Sequence, residues 1–102
     1  MSDRELLELA AKAAEIQIEW TPNYGGAFLT GHPCTVFWRP LTNSGDALDL
    51  AVKLRMDIAH FSFGVRANVA DHDDCNESNG DDPYAATRRA IVRAAAEIGR
   101  TL

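Results

Sequence analysis

The sequence predicts a small α+β domain in which helices cover a sheet. Three observations lead to this prediction. Apolar residues recur at helical spacing near both ends, they alternate with polar residues in short segments between, and stretches containing Gly and Pro separate the segments. The 102 residues fit a single domain over residues 1–102, and a chain of this size buries roughly two-thirds of its unfolded surface. With 46% hydrophobic residues, a core forms without metal or disulfides.

A first helix is predicted over residues 3–14. Ser2 and Glu5 have the spacing of a capping box, which satisfies backbone donors at a helix start. The apolar face that follows contains many small side chains, so it allows close packing against a neighbour. This face comprises Leu6, Leu9, Ala10, Ala13 and Ile16, widened by Leu7, Ala11 and Ala14.

The segment EIQIEW, residues 15–20, changes to a period of two. Ile16, Ile18 and Trp20 alternate with polar residues, which predicts a short strand with one buried face. Pro22 ends this strand.

Residues 21–33 contain Gly and Pro and are predicted to form a loop. The loop carries Tyr24 and Phe28. Aromatic residues on such a loop form either a binding lip or the edge of the core, and we favour the core edge.

The next segment is extended and apolar until Pro40, and a second helix follows it. Asn43 or Ser44 is expected to cap this helix, with Asp46 in the first turn, where the helix dipole favours negative charge. Its predicted buried stripe consists of Ala47, Leu50, Ala51 and Leu54.

Residues 57–71 have the period of a strand. Gly64 within it is either a bulge or the corner of a tight hairpin, and the sequence does not separate these. The residues expected on one face are Phe61, Phe63, Val65, Ala67 and Val69.

Asp82 and Pro83 begin the last helix, because Asp is a preferred N-cap and Pro is favoured at the first helical position. Arg89, Arg93 and Arg100 fall on the side opposite its apolar stripe and are expected to be exposed. We favour a solvated face that the preceding acidic segment neutralises over a ligand site. The stripe comprises Tyr84, Ile91, Ala95, Ile98 and Leu102.

Three stretches together resemble a known family: RELLELAAKAA, WRPLTNSGDALDLAVKL (residues 38–54) and DDPYAATRRAIVRAAAEIG (residues 81–99). They are similar to the phage ABA sandwich domain family of small bacteriophage and prophage proteins. The resemblance implies a three-layer helix–sheet–helix sandwich with a small antiparallel or mixed sheet, in the order α-β-α-β(-β)-α. It implies no activity and no functional residue, and it does not extend to residues 21–35 and 70–80.

The charge is unevenly distributed. The net charge of −5 argues against direct nucleic-acid binding, because phosphate affinity comes mainly from clustered Lys and Arg. Acidic residues concentrate between residues 71 and 82, whereas residues 88–100 carry four arginines and one glutamate, for +4 − 1 = +3.

The motifs favour neither metal binding nor catalysis. No EF-hand frame fits residues 71–85. His32 with Cys34 and His72 with Cys75 offer zinc ligands, but at unsuitable spacing. Neither cysteine lies in a nucleophile motif. We therefore expect no catalytic residues, no metal and no other cofactor.

These observations predict a small cytoplasmic protein of phage or prophage origin that acts by binding, without catalysis. Its expected partner is a protein of the bacterial host, such as an anti-phage defence protein, met through an acidic surface; no membrane contact is expected, and the oligomeric state stays open. The acidic surface consists of Asp71, Asp73, Asp74 and Glu77, whose replacement by Asn or Gln is expected to leave folding nearly intact. One alternative is a small anionic ligand such as a nucleotide, and a second is an enzyme of unrecognised type. The residues of the anionic-ligand alternative are Arg89, Arg93, Arg100, Tyr24 and Phe28.

Overall fold

A computed structural model describes residues 2–21, 26–30, 36–69, 72 and 74–102. The described part confirms the α+β class, with three helices and two three-stranded antiparallel sheets. Its elements are α1 (Asp3–Ala13), β1 (Ile18–Thr21), β2 (Gly26–Leu29), β3 (Val36–Trp38), α2 (Ser44–Lys53), β4 (Asp57–His60), β5 (Gly64–Asn68), β6 (Cys75–Ser78) and α3 (Pro83–Arg100). Each sheet is a meander of consecutive strands. The described residues therefore contain six strands, where the expected order contained two or three.

Two of the added strands lie in segments that were predicted to be loops. β2 occupies part of residues 21–33, and β6 occupies part of the acidic segment before α3. Both strands are four residues long. A strand this short shows at most two alternations of polarity, which is too weak a pattern to distinguish it from a loop.

The helix boundaries follow local chemistry, as predicted. The side chains of Ser2, Asn43 and Asp82 accept hydrogen bonds from backbone amides in the first turns of α1, α2 and α3. Glu15 and Arg55, just beyond α1 and α2, adopt positive φ angles of 58° and 56°. The amides that follow them bond back to Ala11 and Ala51, which closes each helix end and turns the chain toward the next strand.

α1 and α3 pack closely against each other, because their facing residues are small. Gly99 of α3 lies directly against the backbone carbonyl of Leu9, leaving no room for a side chain. The prediction that the small side chains of α1 permit close packing is confirmed. The buried alanines of these two helices in the main core are Ala10, Ala11, Ala14, Ala95 and Ala96.

The first sheet places one face on this core. Ile18 is paired with Leu29, and Ala27 is paired with both Trp20 and Trp38. Trp38 is buried beneath α2, and Ile18 and Leu29 pack against the same core. The alternation predicted for residues 15–20 is confirmed, because the intervening polar side chains are exposed.

The second sheet corrects the strand predicted through residues 57–71. The Phe61 amide donates to the Gly64 carbonyl at 2.7 Å, and the Gly64 amide donates to the Phe61 carbonyl at 3.3 Å. Gly64 is therefore the corner of a tight hairpin, and Phe61 and Phe63 lie at its tip instead of on the buried face. Phe63 is 74% exposed. The buried face consists of Val65, Ala67 and Cys75, which pack on Ala86, Ala90 and Ala94 of α3.

The burial of α3 corrects its predicted buried stripe. Ile91 and Ala95 are buried as expected, but Ile98 is only half-buried, and Tyr84 and Leu102 are exposed. The 18 residues of α3 span about 27 Å at a rise of about 1.5 Å per residue. β5, with five residues, spans only about 17 Å. The second sheet therefore covers only part of α3, and α1 covers the helix around Gly99.

Candidate functional site

The acidic segment and the arginine face of α3, predicted as alternative sites, meet each other. Glu77 of β6 contacts the guanidinium of Arg93, and its other carboxylate oxygen lies 3.9 Å from Nε of Arg89. Arg89 also pairs with Asp3 of α1 at 3.2 Å. Arg89 and Arg93 are thus half-buried and neutralised instead of freely exposed, and Glu77 is paired.

The other predicted acidic residues are divided. Asp74 is exposed, accepts a hydrogen bond from the side-chain amide of Asn68 and lies 3.9 Å from Nε of Arg66. Asp71 and Asp73 lie outside the described residues. Asp74 is therefore the member of the predicted docking set that the structure places on the surface with only a loose ion pair.

Arg93 has a second contact, which protects a sheet edge. Its guanidinium donates to the backbone carbonyl of Asn76 at 3.1 Å. That carbonyl points away from β5, because the β5–β6 ladder uses the backbone groups of Cys75 and Glu77. Arg93 thus covers the outer edge of β6. Arg100 is exposed and pairs at 2.8 Å with Glu97, which lies one turn before it on α3.

The aromatic loop of the anionic-ligand alternative is only partly described. Phe28 lies on β2, half-buried, between Glu19 of β1 and Phe37 of β3. Its position in a strand corrects the prediction that residues 21–33 form a loop. Tyr24 lies outside the described residues.

The described residues give no support to a cysteine nucleophile. Burial raises the pKa of the Cys75 thiol, and the nearby Arg93 charge opposes that shift only in part. A catalytic thiol requires the opposite shift. His32 and Cys34 lie outside the described residues, and among the residues described there is no group of three or more metal-ligating side chains. The absence of a metal site stays a prediction.

A groove of about 360 Å³ lies between α2, β4 and α3. Its surface is mainly apolar, with His60 and the guanidinium of Arg88 as its polar borders. Arg88 donates to the Leu41 carbonyl and to Ser44 Oγ, both at 3.0 Å, which ties α3 to the start of α2. The apolar lining comes from Ala47, Leu48, Ile58, Tyr84 and Ile91.

The strand beside this groove has an open edge. The reciprocal bonds between Phe61 and Gly64 set the ladder so that Ala59 and Asp57 bond β5, whereas the backbone groups of Ile58 and His60 point away from it. Within the residues that the structure describes, nothing bonds those outward groups. The edge of β4 thus differs from that of β6, which Arg93 covers.

Exposed apolar side chains lie on α2 and α3 beside the groove and at the hairpin tip that follows the open edge. Leu48 and Val52 of α2 are 59% and 68% exposed, and Tyr84 of α3 is 73% exposed. Phe61 and Phe63 stack at the hairpin tip with ring centroids 5.4 Å apart, directly after β4. Such a concentration of exposed apolar groups is typical of an interaction surface.

The sequence pattern did not indicate this surface, because Phe61, Phe63 and Tyr84 have the spacing of core residues. One signal was present in the chain. Leu48 and Val52 are four residues apart and lie off the buried stripe of α2, so they form a second apolar stripe on the same helix.

A second groove, of about 320 Å³, lies between the first sheet and α2. Trp38 and Leu29 form part of its wall, and Asp46 and Asp49 border it. Asp46 is already engaged, because it accepts the Arg39 amide at 2.8 Å. The larger and more apolar groove beside β4 is the stronger candidate.

The fold and this surface define an α+β domain with an open strand edge beside an apolar groove. Comparison with known proteins adds no relative: no protein-family model, no curated protein and no solved structure matches the chain. Among the helices that the structure describes, none is both long and apolar enough to cross a membrane.

Proposed function

We propose that this protein acts by binding another polypeptide, and that its binding surface is the open edge of β4 together with the adjoining groove. The observation that carries the proposal is the coincidence of unbonded outward backbone groups at Ile58 and His60 with the apolar groove that the same two side chains line. An uncovered edge is a template for strand pairing, which proteins otherwise block.

Binding proceeds by strand addition. An extended segment lying antiparallel to β4 accepts hydrogen bonds from the amides of Ile58 and His60 and donates to their carbonyls. Every second side chain of that segment then points into the groove, toward Leu48 and Tyr84. Main-chain bonds supply affinity, and the apolar pockets select apolar side chains at alternate positions.

The acidic surface is a weaker basis for the same class of function. Glu77 is 20% exposed and paired with two arginines, so it contributes little net charge to a partner. The same pairing argues against an anionic ligand on Arg89 and Arg93. The proposal includes no catalytic step.

The origin and setting of the protein remain proposals that rest on the family resemblance. They comprise a phage or prophage source, a three-layer arrangement of helices and sheets, and a partner among bacterial host proteins, such as an anti-phage defence protein, met in the cytoplasm. If this protein inhibits such a host protein, it does so by adding an extended segment of that protein to the edge of β4.

An array of ten-residue peptides with apolar residues at alternate positions tests the binding mode. We expect the wild-type protein to bind a subset of these peptides. His60→Pro, which removes an outward amide of β4, is expected to weaken binding about tenfold or more, because it removes a main-chain bond and disturbs the added strand. The matched control is Ser78→Pro, which removes an outward amide of β6.

A second variant separates the edge from the groove. Leu48→Glu leaves the backbone of β4 unchanged and places a charge in the groove, so it is expected to weaken binding of the same peptides without lowering the melting temperature. Equal peptide binding by wild type, His60→Pro and Leu48→Glu, with all three folded by circular dichroism, would refute the proposed surface.

A further inference from the structure

We infer that the segment added to the β4 edge is β4 of a second copy of this chain, so that the protein is a two-fold symmetric dimer. This inference rests on the proposed function and names the partner of the same surface, so an added peptide or a host protein competes with the second copy for the β4 edge. Two features of the described residues support it: the register of β4 and the charge pattern of α2.

The outward groups of β4 match those of a second β4. In an antiparallel pair centred on Ala59, Ile58 of one copy faces His60 of the other, and both positions carry outward backbone groups. Each of these two facing pairs can exchange both main-chain hydrogen bonds. Ala59 faces its own counterpart, and its small side chain permits the close approach of a non-hydrogen-bonded pair. The second sheets of the two copies, each with the strands β4, β5 and β6, then form one continuous sheet of six strands.

The exposed face of α2 is also self-complementary. Leu48 is followed by Asp49, and Val52, one turn later, is followed by Lys53. All four side chains are exposed, and within the described residues neither Asp49 nor Lys53 has an ion-pair partner.

A two-fold axis turns this pattern into complementary contacts. α2 and a symmetry-related α2 are antiparallel when the axis passes near their midpoints. Leu48 of one copy then meets Val52 of the other, and Asp49 meets Lys53. Every contact occurs twice, so one self-complementary turn of helix provides two apolar contacts and two ion pairs.

The placement of α2 brings its apolar stripe beside the open edge of β4, with Asp49 on the flank of α2 that faces the second groove. Leu48 lines the same groove as Ile58 and His60, so the apolar stripe of α2 borders the open edge. A second copy therefore covers the edge and the exposed side chains of α2 in one interface. A heterologous partner supplies the strand but has no reason to match the Asp49–Lys53 pattern.

Sedimentation velocity over a range of protein concentrations tests the dimer. We expect wild type to sediment as a dimer that dissociates on dilution. Asp49→Lys and Lys53→Asp each replace two attractions by two repulsions, and each alone is expected to raise the dissociation constant about tenfold or more. The matched control for Asp49→Lys is Glu19→Lys on β1, which makes the same change in net charge away from the interface and is expected to leave the dissociation constant unchanged.

Mixing the two single variants identifies the contact as one between copies. An Asp49→Lys copy and a Lys53→Asp copy carry opposite charges on α2, so an equimolar mixture is expected to form a heterodimer of near wild-type affinity. An effect confined to the helix of one copy cannot be rescued by mixing. Circular dichroism of each variant establishes that it is folded.

The outcomes separate this inference from the proposed function. A wild-type protein that remains monomeric at all concentrations, or a dimer that neither charge reversal weakens, overturns the inference. Peptide binding that depends on His60 in a monomeric protein keeps the proposed function and assigns the edge to another partner. Two results together support both the dimer and the proposed function. His60→Pro loses the dimer and all peptide binding, and the mixture of Asp49→Lys and Lys53→Asp regains the dimer.

Discussion

At the scale of single residues, the Cys75 thiol has a higher pKa in the folded protein than in the unfolded chain. Its thiol packs beside Val65 and Ala67, and burial raises its pKa. In the unfolded chain the thiol ionises near pH 9.0, whereas in the folded protein it stays neutral to higher pH. The unfolded state therefore binds fewer protons than the native state above pH 9. The stability linked to this group is complete below that pH and is lost as the pH rises toward the raised pKa.

We predict that the difference in free energy of unfolding between wild type and Cys75→Ala is constant below pH 9 and shrinks above it. Urea denaturation at a series of pH values measures this difference. Using the difference removes the contributions of other titrating groups, which are common to both proteins. A difference that stays constant through the alkaline range would show that the thiol is accessible to water in the native state.

Residue-level expectations succeeded where the cause was local. Asn43 and Asp82 cap helices because their side-chain oxygens accept hydrogen bonds from amides two or three residues further along the chain. Such a contact depends only on the local sequence, so it could be predicted. The pairing of Glu77 with Arg93 could not be predicted, because it joins residues on different elements and requires the position of β6 against α3. Tyr84 has the helical spacing of a core residue, but its exposure depends on where the neighbouring elements end.

At the scale of elements, the three helices were predictable and the strands were mostly not. Helices of 11, 10 and 18 residues display their period several times. The strands have three to five residues, and Phe61 and Phe63 extend the alternation of Val65 and Ala67 in β5 backward through the hairpin tip. Their tip position is set by the Phe61–Gly64 hydrogen bonds and by the close approach of Gly64 to the Glu77 carbonyl.

The contact between α1 and α3 gives a prediction at this scale. In a solvent-exposed helix, Gly→Ala stabilises by up to about 1 kcal/mol through helix propensity. At Gly99 a methyl group would overlap the Leu9 carbonyl, so the two helices must separate. We expect Gly99→Ala to lower the free energy of unfolding by about 1–3 kcal/mol, as overpacking does elsewhere.

The control for Gly99 is Gly45→Ala in the first turn of α2. The nearest heavy atom to a methyl group there is Oδ1 of the Asn43 side chain, 3.1 Å away, and a side chain adjusts more easily than backbone. Thermal or urea unfolding of both variants measures the contrast. If Gly99→Ala were as stable as wild type, the close packing of α1 on α3 would be wrong.

At the scale of the whole molecule, the separation of charge along the chain does not persist in the fold. The acidic segment and the arginines of α3 carry opposite charge in sequence, and β6 brings the two together. The two rival binding surfaces expected from the sequence are partly joined in a single internal ion-pair network. The surface left to a partner is apolar, and it depends on the positions of the two edges of the second sheet, β4 and β6.

This network divides the acidic residues into two groups with different effects on stability. Glu77 is mostly buried between Arg89 and Arg93, so removing its charge leaves two half-buried guanidiniums without their common carboxylate. Asp74 is exposed, and its ion pair with Arg66 is loose, because the carboxylate approaches Nε no closer than 3.9 Å. We predict that Glu77→Gln lowers the free energy of unfolding by about 1–2 kcal/mol and that Asp74→Asn changes it by less than about 0.5 kcal/mol. This prediction differs from the expectation that replacing Asp71, Asp73, Asp74 and Glu77 together leaves folding nearly intact.

Urea unfolding at low and high salt checks this division and its electrostatic cause. Salt screens exposed charges strongly and partly buried pairs much less, so the effect of Glu77→Gln should persist at high salt, whereas any effect of Asp74→Asn should disappear. Arg93→Lys provides a second test, because a lysine keeps the charge but lacks the planar guanidinium that contacts both Glu77 and the Asn76 carbonyl. It should therefore be less stable than wild type. If Glu77→Gln proved as stable as wild type while a basic partner bound it more weakly, Glu77 would belong to a docking surface, and the acidic segment would regain the role that its sequence indicates.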